Sequence, residues 1–358
     1  MKVLFVYRYL SLGGVEALLR ARLDHLDRWG IDGHAWFLHD RGGRAIFAGH
    51  EDRVRIGSPT ECLRRCEEDA FDLLDSIDTD EIFPGLTDSR PTPRLVVECH
   101  SQYLENLEYL RCLAPLRPAA VLVPSEHQLR IVRKRTGPGI DIRVVPNSLR
   151  EAFVRELEPF SPVPPRPVVA WIGRLDDLKN WRGFVEAAAA LCREGEDKEF
   201  WVVGVPVEPA VPRELLELAR DRGVLPRLRW FRGLPHDRVP AVLDAVRDSG
   251  GIVVSMSRGE AFGMTVAEAM ARCCAVGVPD QPPFTEFVTH GVTGLLFPPG
   301  SAEAAANLVQ TALADAALRA RLGESARESV LARFAPERAL AALVHEFRRL
   351  AQLPPLSR

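Results

Sequence analysis

Gly259-Glu260-Ala261-Phe262-Gly263-Met264-Thr265-Val266-Ala267-Glu268-Ala269-Met270-Ala271 is the stretch on which the fold turns. It follows Ile252-Val253-Val254, an apolar β-branched run with the length of a buried parallel strand, and passes into a series of good helix formers. The reading is strand, tight loop, helix. A helix that opens on a small-residue loop at the end of a parallel strand directs unsatisfied N–H groups and partial positive charge outward, a ready seat for phosphate. Gly263 lets backbone approach a ligand closely. Glu260 and Glu268 stand on either side of the helix start, and eight residues at a rise of ~1.5 Å separate them by about 12 Å. That suits a ligand with hydroxyls at both ends and a phosphate between, the shape of a nucleotide-sugar.

Outward from this stretch the pattern repeats. Upstream lie strands at Val168–Ile172, Phe200–Val203 and Leu228–Phe231, with helical stripes at Phe184, Ala188 and Leu191 and at Val239, Val242, Leu243 and Val246. Downstream come Ala275–Val278, Gly294–Phe297 and two C-terminal helices. The amino-terminal half has the same layout. Val3–Tyr7, Ala35–Leu38, Phe71–Ile77, Leu95–Cys99, Ala119–Val123 and Ile142–Val145 read as strands. Ser11-Leu12-Gly13-Gly14-Val15-Glu16 is the turn after the first, leading into a helix with Leu19, Leu23 and Leu26 on one face. Ser125, three residues before Gln128, has the spacing of a helix-starting cap.

Strands alternating with helices argue for an α/β fold of doubly wound parallel sheets. Residues 159–167, Pro-Phe-Ser-Pro-Val-Pro-Pro-Arg-Pro, can neither continue a helix nor pair within a sheet, and mark a linker. The expected domains are residues 1–158, then 168–335, with 336–358 a helix packing back on the first. Ligand is expected where strand ends of the two halves face each other.

The bulk properties agree. At 358 residues the chain exceeds one ordinary core, with about 150 residues per domain as a guide. A hydrophobic share of 46%, a charged share of 27% and a net charge of -3 are those of a soluble globular protein without general attraction to nucleic acid or membrane. The apolar run at the start is too short for a secretory leader and is interrupted by Arg8, and no stretch has the length of a spanning helix. Seven cysteines without paired CxxC spacing read as reduced thiols of a cytoplasmic protein, with Cys62 and Cys66 on one face of a helix.

Together these residues resemble the retaining glycosyltransferases of family 4, of GT-B architecture: two facing Rossmann-like domains with a cleft between them. Glu260 to Glu268 fits that family's E-x7-E pattern. Gly173-Arg174-Leu175-Asp176-Asp177-Leu178-Lys179-Asn180 fits its basic signature, and Gly291-Val292-Thr293-Gly294-Leu295-Leu296 its downstream glycine motif. The resemblance implies that Glu268 holds ribose hydroxyls, that Glu260 approaches the donor sugar, and that Phe262, Gly263 and Met264 supply amides near the diphosphate. It makes Arg174 and Lys179 the cations that stabilise negative charge on the departing phosphate without a metal. Gly13 and Gly14 match the loop that passes close to phosphate and sugar, and His100 a histidine that contacts the donor sugar. Gly233 matches a loop beside the nucleobase. Asn147 falls where the family commonly has Pro-Asn-Gly, with Ser148 in place of the glycine.

The donor so implied is a nucleotide diphosphate sugar, UDP or GDP foremost, with no cofactor. The acceptor is a hydroxyl of a small natural product, a lipid-linked glycan or a polysaccharide. Two other signals compete. Asp78-Thr79-Asp80 is a DxD, the metal signature of the other major glycosyltransferase architecture, read here as a solvated acidic turn. Arg130-Ile131-Val132-Arg133-Lys134-Arg135 reads as a solvated helix face in preference to a membrane contact. A nucleotide-sugar epimerase, a sugar phosphorylase and a non-catalytic nucleotide-binding subunit are the rival functions.

Overall fold

The computed structural model describes residues 1–11, 13–86, 93–193, 195 and 197–353, so Leu12 of the first turn lies outside the described residues. The chain divides into two compact units, Met1–Arg150 with Phe334–Arg358, and Glu151–Arg333.

In the first unit, β1 (Lys2–Leu10), β2 (Asp32–Asp40), β3 (Val54–Ile56), β4 (Leu73–Ile77), β5 (Arg94–Glu98), β6 (Ala120–Val123) and β7 (Ile142–Val144) form one sheet in the order β3-β2-β1-β4-β5-β6-β7. Every pairing is parallel. Both faces are covered, which is why the strands read as continuous apolar runs. Along β1, Val3 and Phe5 enter one core while Leu4 and Val6 enter the other, the period of a strand. Leu19 and Leu23 of α1 (Gly14–His25) share the Phe5 core with Leu340, Leu343 and Phe347 of the C-terminal helix Pro336–Leu350. The ring centroid of Phe347 lies 6.0 Å from that of Phe5. Cys62 and Cys66 of α2 (Pro59–Glu68) are buried against the opposite face, and Val132 of α3 (Glu126–Arg133) joins them.

The second unit holds β8 (Val168–Ile172), β9 (Glu199–Val203), β10 (Leu228–Phe231), β11 (Ile252–Val254), β12 (Val276–Pro279) and β13 (Leu295–Phe297), ordered β10-β9-β8-β11-β12-β13 and parallel throughout. Its helices are α4 (Glu151–Val154), α5 (Trp181–Arg193), α6 (Val211–Asp221), α7 (Val239–Asp248), α8 (Met264–Ala271), α9 (Ala302–Ala314) and α10 (Ala316–Phe334), which ends at the first unit; α11 is the helix Pro336–Leu350. Phe184, Ala188 and Leu191 of α5 lie in one core with Ala305, Val309 and Ala312 of α9. In both sheets the strand order reverses beside the first strand of the unit, between β1 and β4 and between β8 and β11. That reversal opens the crevice where such sheets bind ligands.

Three expectations are corrected. The boundary falls at 150/151, ahead of the proline-rich linker. Arginines of the second unit hold the carbonyls of residues 154–158: Arg272 Nη1 donates to Arg155 O at 3.2 Å, Arg327 Nη2 to Val154 O at 3.2 Å, and Arg247 Nη2 to Glu158 O at 2.9 Å. Phe160 N donates to Asp248 Oδ2 at 2.7 Å. Among the described residues three helices, not two, lie beyond β13, because only Asp315 separates α9 from α10; its Oδ1 accepts from Leu318 N at 2.8 Å and caps the second without any glycine or proline to mark the break. The edge strand β3, three residues long, was not read at all. Among the described residues no helix is long and apolar enough to cross a membrane.

Candidate functional site

In the second unit the segments that follow β8 and β11 lie at the reversal point, and they carry Arg174, Lys179, Glu260 and Glu268. Asp176 turns the first of these segments, its Oδ1 accepting from Lys179 N at 2.8 Å, while Trp171 Nε1 donates to Lys179 O at 3.3 Å. Asn180, at φ 55, then caps α5 by accepting from Gly183 N at 3.2 Å, and its Nδ2 donates to Met256 O at 3.1 Å. Arg258 N donates to Leu178 O at 2.8 Å, joining the two segments.

Within this frame Lys179 Nζ stands 2.6 Å from Glu260 Oε1, and Ser257 Oγ donates to the same oxygen at 2.8 Å. The Lys179 and Glu260 side chains are 19% and 10% exposed, so the pair is held at the rim of the core with its charges unmatched by bulk water. Arg174 differs. Its side chain is 53% exposed, and Nη2 lies 3.4 Å from Asp176 Oδ2.

Gly263 is the residue before α8 and adopts φ 96, ψ 44. Only glycine enters that region without strain, and a Cβ would also meet Phe284 Cε1 at 2.9 Å. Phe262 stacks on Phe287, ring centroids 5.9 Å apart, which anchors the loop, and Met264 opens the helix half-buried. Glu268, one turn into α8, is buried, and its Oε1 lies 3.3 Å from Nε2 of His236. His236 in turn sits against Phe153, ring centroids 5.3 Å apart. Gly233, at φ 70, turns the chain after β10 to bring His236 there.

In the first unit Gly13 and Gly14 start α1 after β1. Glu16 is buried and accepts from Ser11 N at 2.7 Å, tying the strand end to the helix across the glycines. A Cβ on Gly14 would meet nothing within 4 Å, so neither packing nor backbone conformation requires glycine there. His100 stands two residues beyond the end of β5. Its Nε2 lies 2.7 Å from Glu98 Oε2, and its backbone N–H donates to Asp78 Oδ1 at 3.1 Å. Arg22 Nη2 donates to the same Glu98 oxygen at 2.8 Å and Nη1 lies 3.7 Å from Asp75 Oδ2. Burial pushes the Asp75 carboxyl well up, Glu98's charge adding to it and Arg22 opposing; burial also works against ionised Glu98, but Arg22 and His100 together hold its carboxyl far below the usual range.

The acidic turn is not solvated as expected. Asp78, at φ 42, is committed to the His100 N–H, with its carboxyl raised by burial against the opposing influence of His100, and Thr79 Oγ1 donates to Ile77 O at 2.6 Å. Asp80 pairs with Arg8 Nη2 at 2.7 Å. Among the described residues no three His, Cys, Asp or Glu side chains are grouped to hold a metal ion. Arg130, Arg133 and Lys134 are exposed on and after α3.

The structure thus brings together Lys179 with Glu260, and sets Arg174 and Glu268 on neighbouring segments, while Gly13, Gly14 and His100 belong to the other unit. Sequence reading missed Ser257, His236, Glu98 and Arg22. The last two carry no local motif, since only the fold brings positions 76 residues apart into contact.

Residues 155–329, almost the span of the second unit, match the family model of Glycosyl transferases group 1. That span is just under half of the chain. Over 161 residues it is 31% identical to the alpha-D-kanosaminyltransferase of Streptomyces kanamyceticus, a match covering 45% of this chain and 40% of that protein. It is 34% identical over 164 residues to the D-inositol 3-phosphate glycosyltransferase of Corynebacterium glutamicum (strain R), covering 45% and 38%. These matches span less than half the length of the curated relatives. Anabaena Alr3699/HepE in complex with UDP and glucose superposes with a TM-score of 0.81 at 21% identity, over 98% of this chain and 100% of that one. The sucrose-phosphate synthase of Thermosynechococcus elongatus follows at 0.78 and 18%, covering 98% and 99%. The two parallel-sheet units are therefore those of the GT-B fold.

Proposed function

We propose that this chain is a retaining glycosyltransferase of the family 4 type, which moves a sugar from a nucleotide diphosphate, UDP or GDP, to a hydroxyl acceptor without a metal. The observation that carries the reading is the Lys179–Glu260 pair, 2.6 Å apart where the strand order reverses, on a loop whose Gly263 opens α8. A diphosphate seated at α8 draws on its first amide groups. Lys179 and the exposed Arg174 then meet the charge that builds on the β-phosphate as the glycosidic bond breaks, which is the work a metal does elsewhere. Buried Glu268 is suited to accept from ribose hydroxyls, and Glu260 to orient the sugar. Gly14, glycine for no reason internal to its unit, fits a loop approached closely by ligand, and His100 takes a hydroxyl of the donor sugar. The Anabaena neighbour's complex with UDP and glucose supports a donor of this class, and the name of the Corynebacterium relative supports a small hydroxylated acceptor. A cytoplasmic setting belongs to the same proposal, in keeping with seven free thiols.

The test is incubation of the whole chain with UDP- and GDP-sugars and a panel of hydroxyl acceptors, with nucleotide release followed and the product's anomeric configuration read by proton NMR. Acceptor-dependent release, retained configuration and indifference to chelator are expected. Inverted product, a requirement for manganese, or sugar phosphate formed only with inorganic phosphate would overturn the reading. Arg174→Ala is expected to reduce turnover more than donor affinity.

A further inference from the structure

Burying ionisable groups is costly, and the first unit buries three ionisable side chains where α1, β4 and β5 meet: Arg22 is 3% exposed, Asp75 0% and Glu98 1%. Apolar side chains of similar volume would serve stability as well or better. What the cluster does have is direction. Oε2 of Glu98 accepts from Arg22 Nη2 at 2.8 Å and faces His100 Nε2 at 2.7 Å, so one oxygen joins the arginine of the helix to the imidazole after the strand. The same imidazole is tied through its own backbone N–H to Asp78.

We propose that Arg22 and Glu98 are positioning residues that lock the His100 imidazole as its Nε2–H tautomer and so present Nδ1 as the acceptor for a hydroxyl of the bound sugar. This rests on the reading that His100 meets the donor. An imidazole offers either nitrogen, and which one carries the proton is set by the bond the other makes. An ionised Glu98 requires a proton on Nε2, which leaves the Nδ1 lone pair outward. The groups that face Glu98 are Arg22 from α1, Asp75 from β4, Asp78 just after β4, and His100 after β5. Burial and Glu98 push the Asp75 carboxyl well up, so it competes less with Glu98 for the positive charge of Arg22, whose nearer contact is to Glu98 at 2.8 Å against 3.7 Å to Asp75. The arrangement works as outer-shell carboxylates do for metal-bound histidines, fixing ring orientation and tautomer at one remove.

The experiment uses the whole chain with 15N-labelled histidine, at a pH above the titration of free imidazole, with His100→Gln identifying the His100 signals. Wild type is expected to show the Nε2–H tautomer at His100. Glu98→Gln keeps the shape and an amide oxygen but removes the charge, so its His100 signals are expected to move toward a tautomer mixture. Turnover should fall roughly tenfold with donor KM little changed, and Glu98→Asp should restore part of it. A wild-type Nδ1–H tautomer, or Glu98→Gln leaving both signals and turnover as in wild type, overturns the proposal; the wild-type spectrum decides even where the variant fails to fold. If His100→Gln turns over normally, the reading of His100 as a sugar contact falls, and the spectra alone then judge whether Glu98 holds the ring.

Discussion

Replacing Lys179 by methionine keeps most of the aliphatic stem and deletes one charge. Glu260 then retains only Ser257 Oγ, at 2.8 Å, for a carboxylate whose side chain is 10% exposed. Hydrogen bonds to charged groups contribute about 1.5–3 kcal/mol, and breaking a buried ion pair costs about 3–5 kcal/mol. With Lys179 itself 19% exposed, the lower end applies, and Lys179→Met should destabilise by about 2–3 kcal/mol. Glu260→Gln keeps an acceptor for Ser257 and leaves behind the more exposed partner, so its cost should be about 1 kcal/mol. In the double variant no charge is left unmatched, and its loss should fall short of the sum by about 1–2 kcal/mol. Urea unfolding of the four proteins measures this, followed by tryptophan fluorescence, since Trp171 bonds directly to the Lys179 carbonyl. Losses that add to within about 0.5 kcal/mol would show that the two side chains do not interact, and the pairing at the reversal point would be refuted.

Gly263→Ala should cost about 2–5 kcal/mol, because φ 96 is strained for alanine and its Cβ would press on buried Phe284, whereas Gly233→Ala, with nothing within 4 Å, should cost only about 1–2 kcal/mol. Equal losses in thermal unfolding would contradict the packing at α8. Asp75→Asn keeps the shape without the titration. Burial raises the folded Asp75 carboxyl above its unfolded value, so wild type should lose stability relative to the variant as pH rises above about 4, where the unfolded chain releases the proton; a difference in thermal midpoint that does not change with pH would contradict it. His236→Gln alters the group 3.3 Å from Glu268 and should weaken UDP binding by about tenfold, or 1.4 kcal/mol, as measured calorimetrically; unchanged affinity would remove His236 from the nucleotide's surroundings.

The sheets were legible because both faces of each are covered, so strands such as Val168–Ile172 and Ile252–Val254 appear as apolar runs separated by helical periods. Ser125 was read as a cap and is one, its Oγ accepting from Gln128 N at 3.0 Å. Local patterns failed where local chemistry was silent. Ile56 ends an edge strand too short to show alternation, and Asp315 parts two helices with a single residue. The boundary was drawn at prolines, although Arg247, Arg272 and Arg327 hold the segment before them to the second unit. In the candidate site, Glu260, Glu268 and Lys179 can be singled out from sequence because they lie within short stretches that also set the loop geometry. Glu98, Arg22 and His236 were not, since their partners come from other elements and only the folded sheet brings them near.

Calorimetric titration of UDP into the whole chain and into Glu268→Ala tests most directly whether the second unit grips the nucleotide of a sugar donor. Saturable binding by wild type is expected, weakened by at least about tenfold in the variant, the 1.4 kcal/mol or more that follows if the buried Glu268 carboxylate accepts from the ribose. UDP bound with equal affinity by both proteins, or heat absent for UDP and GDP alike, would contradict it.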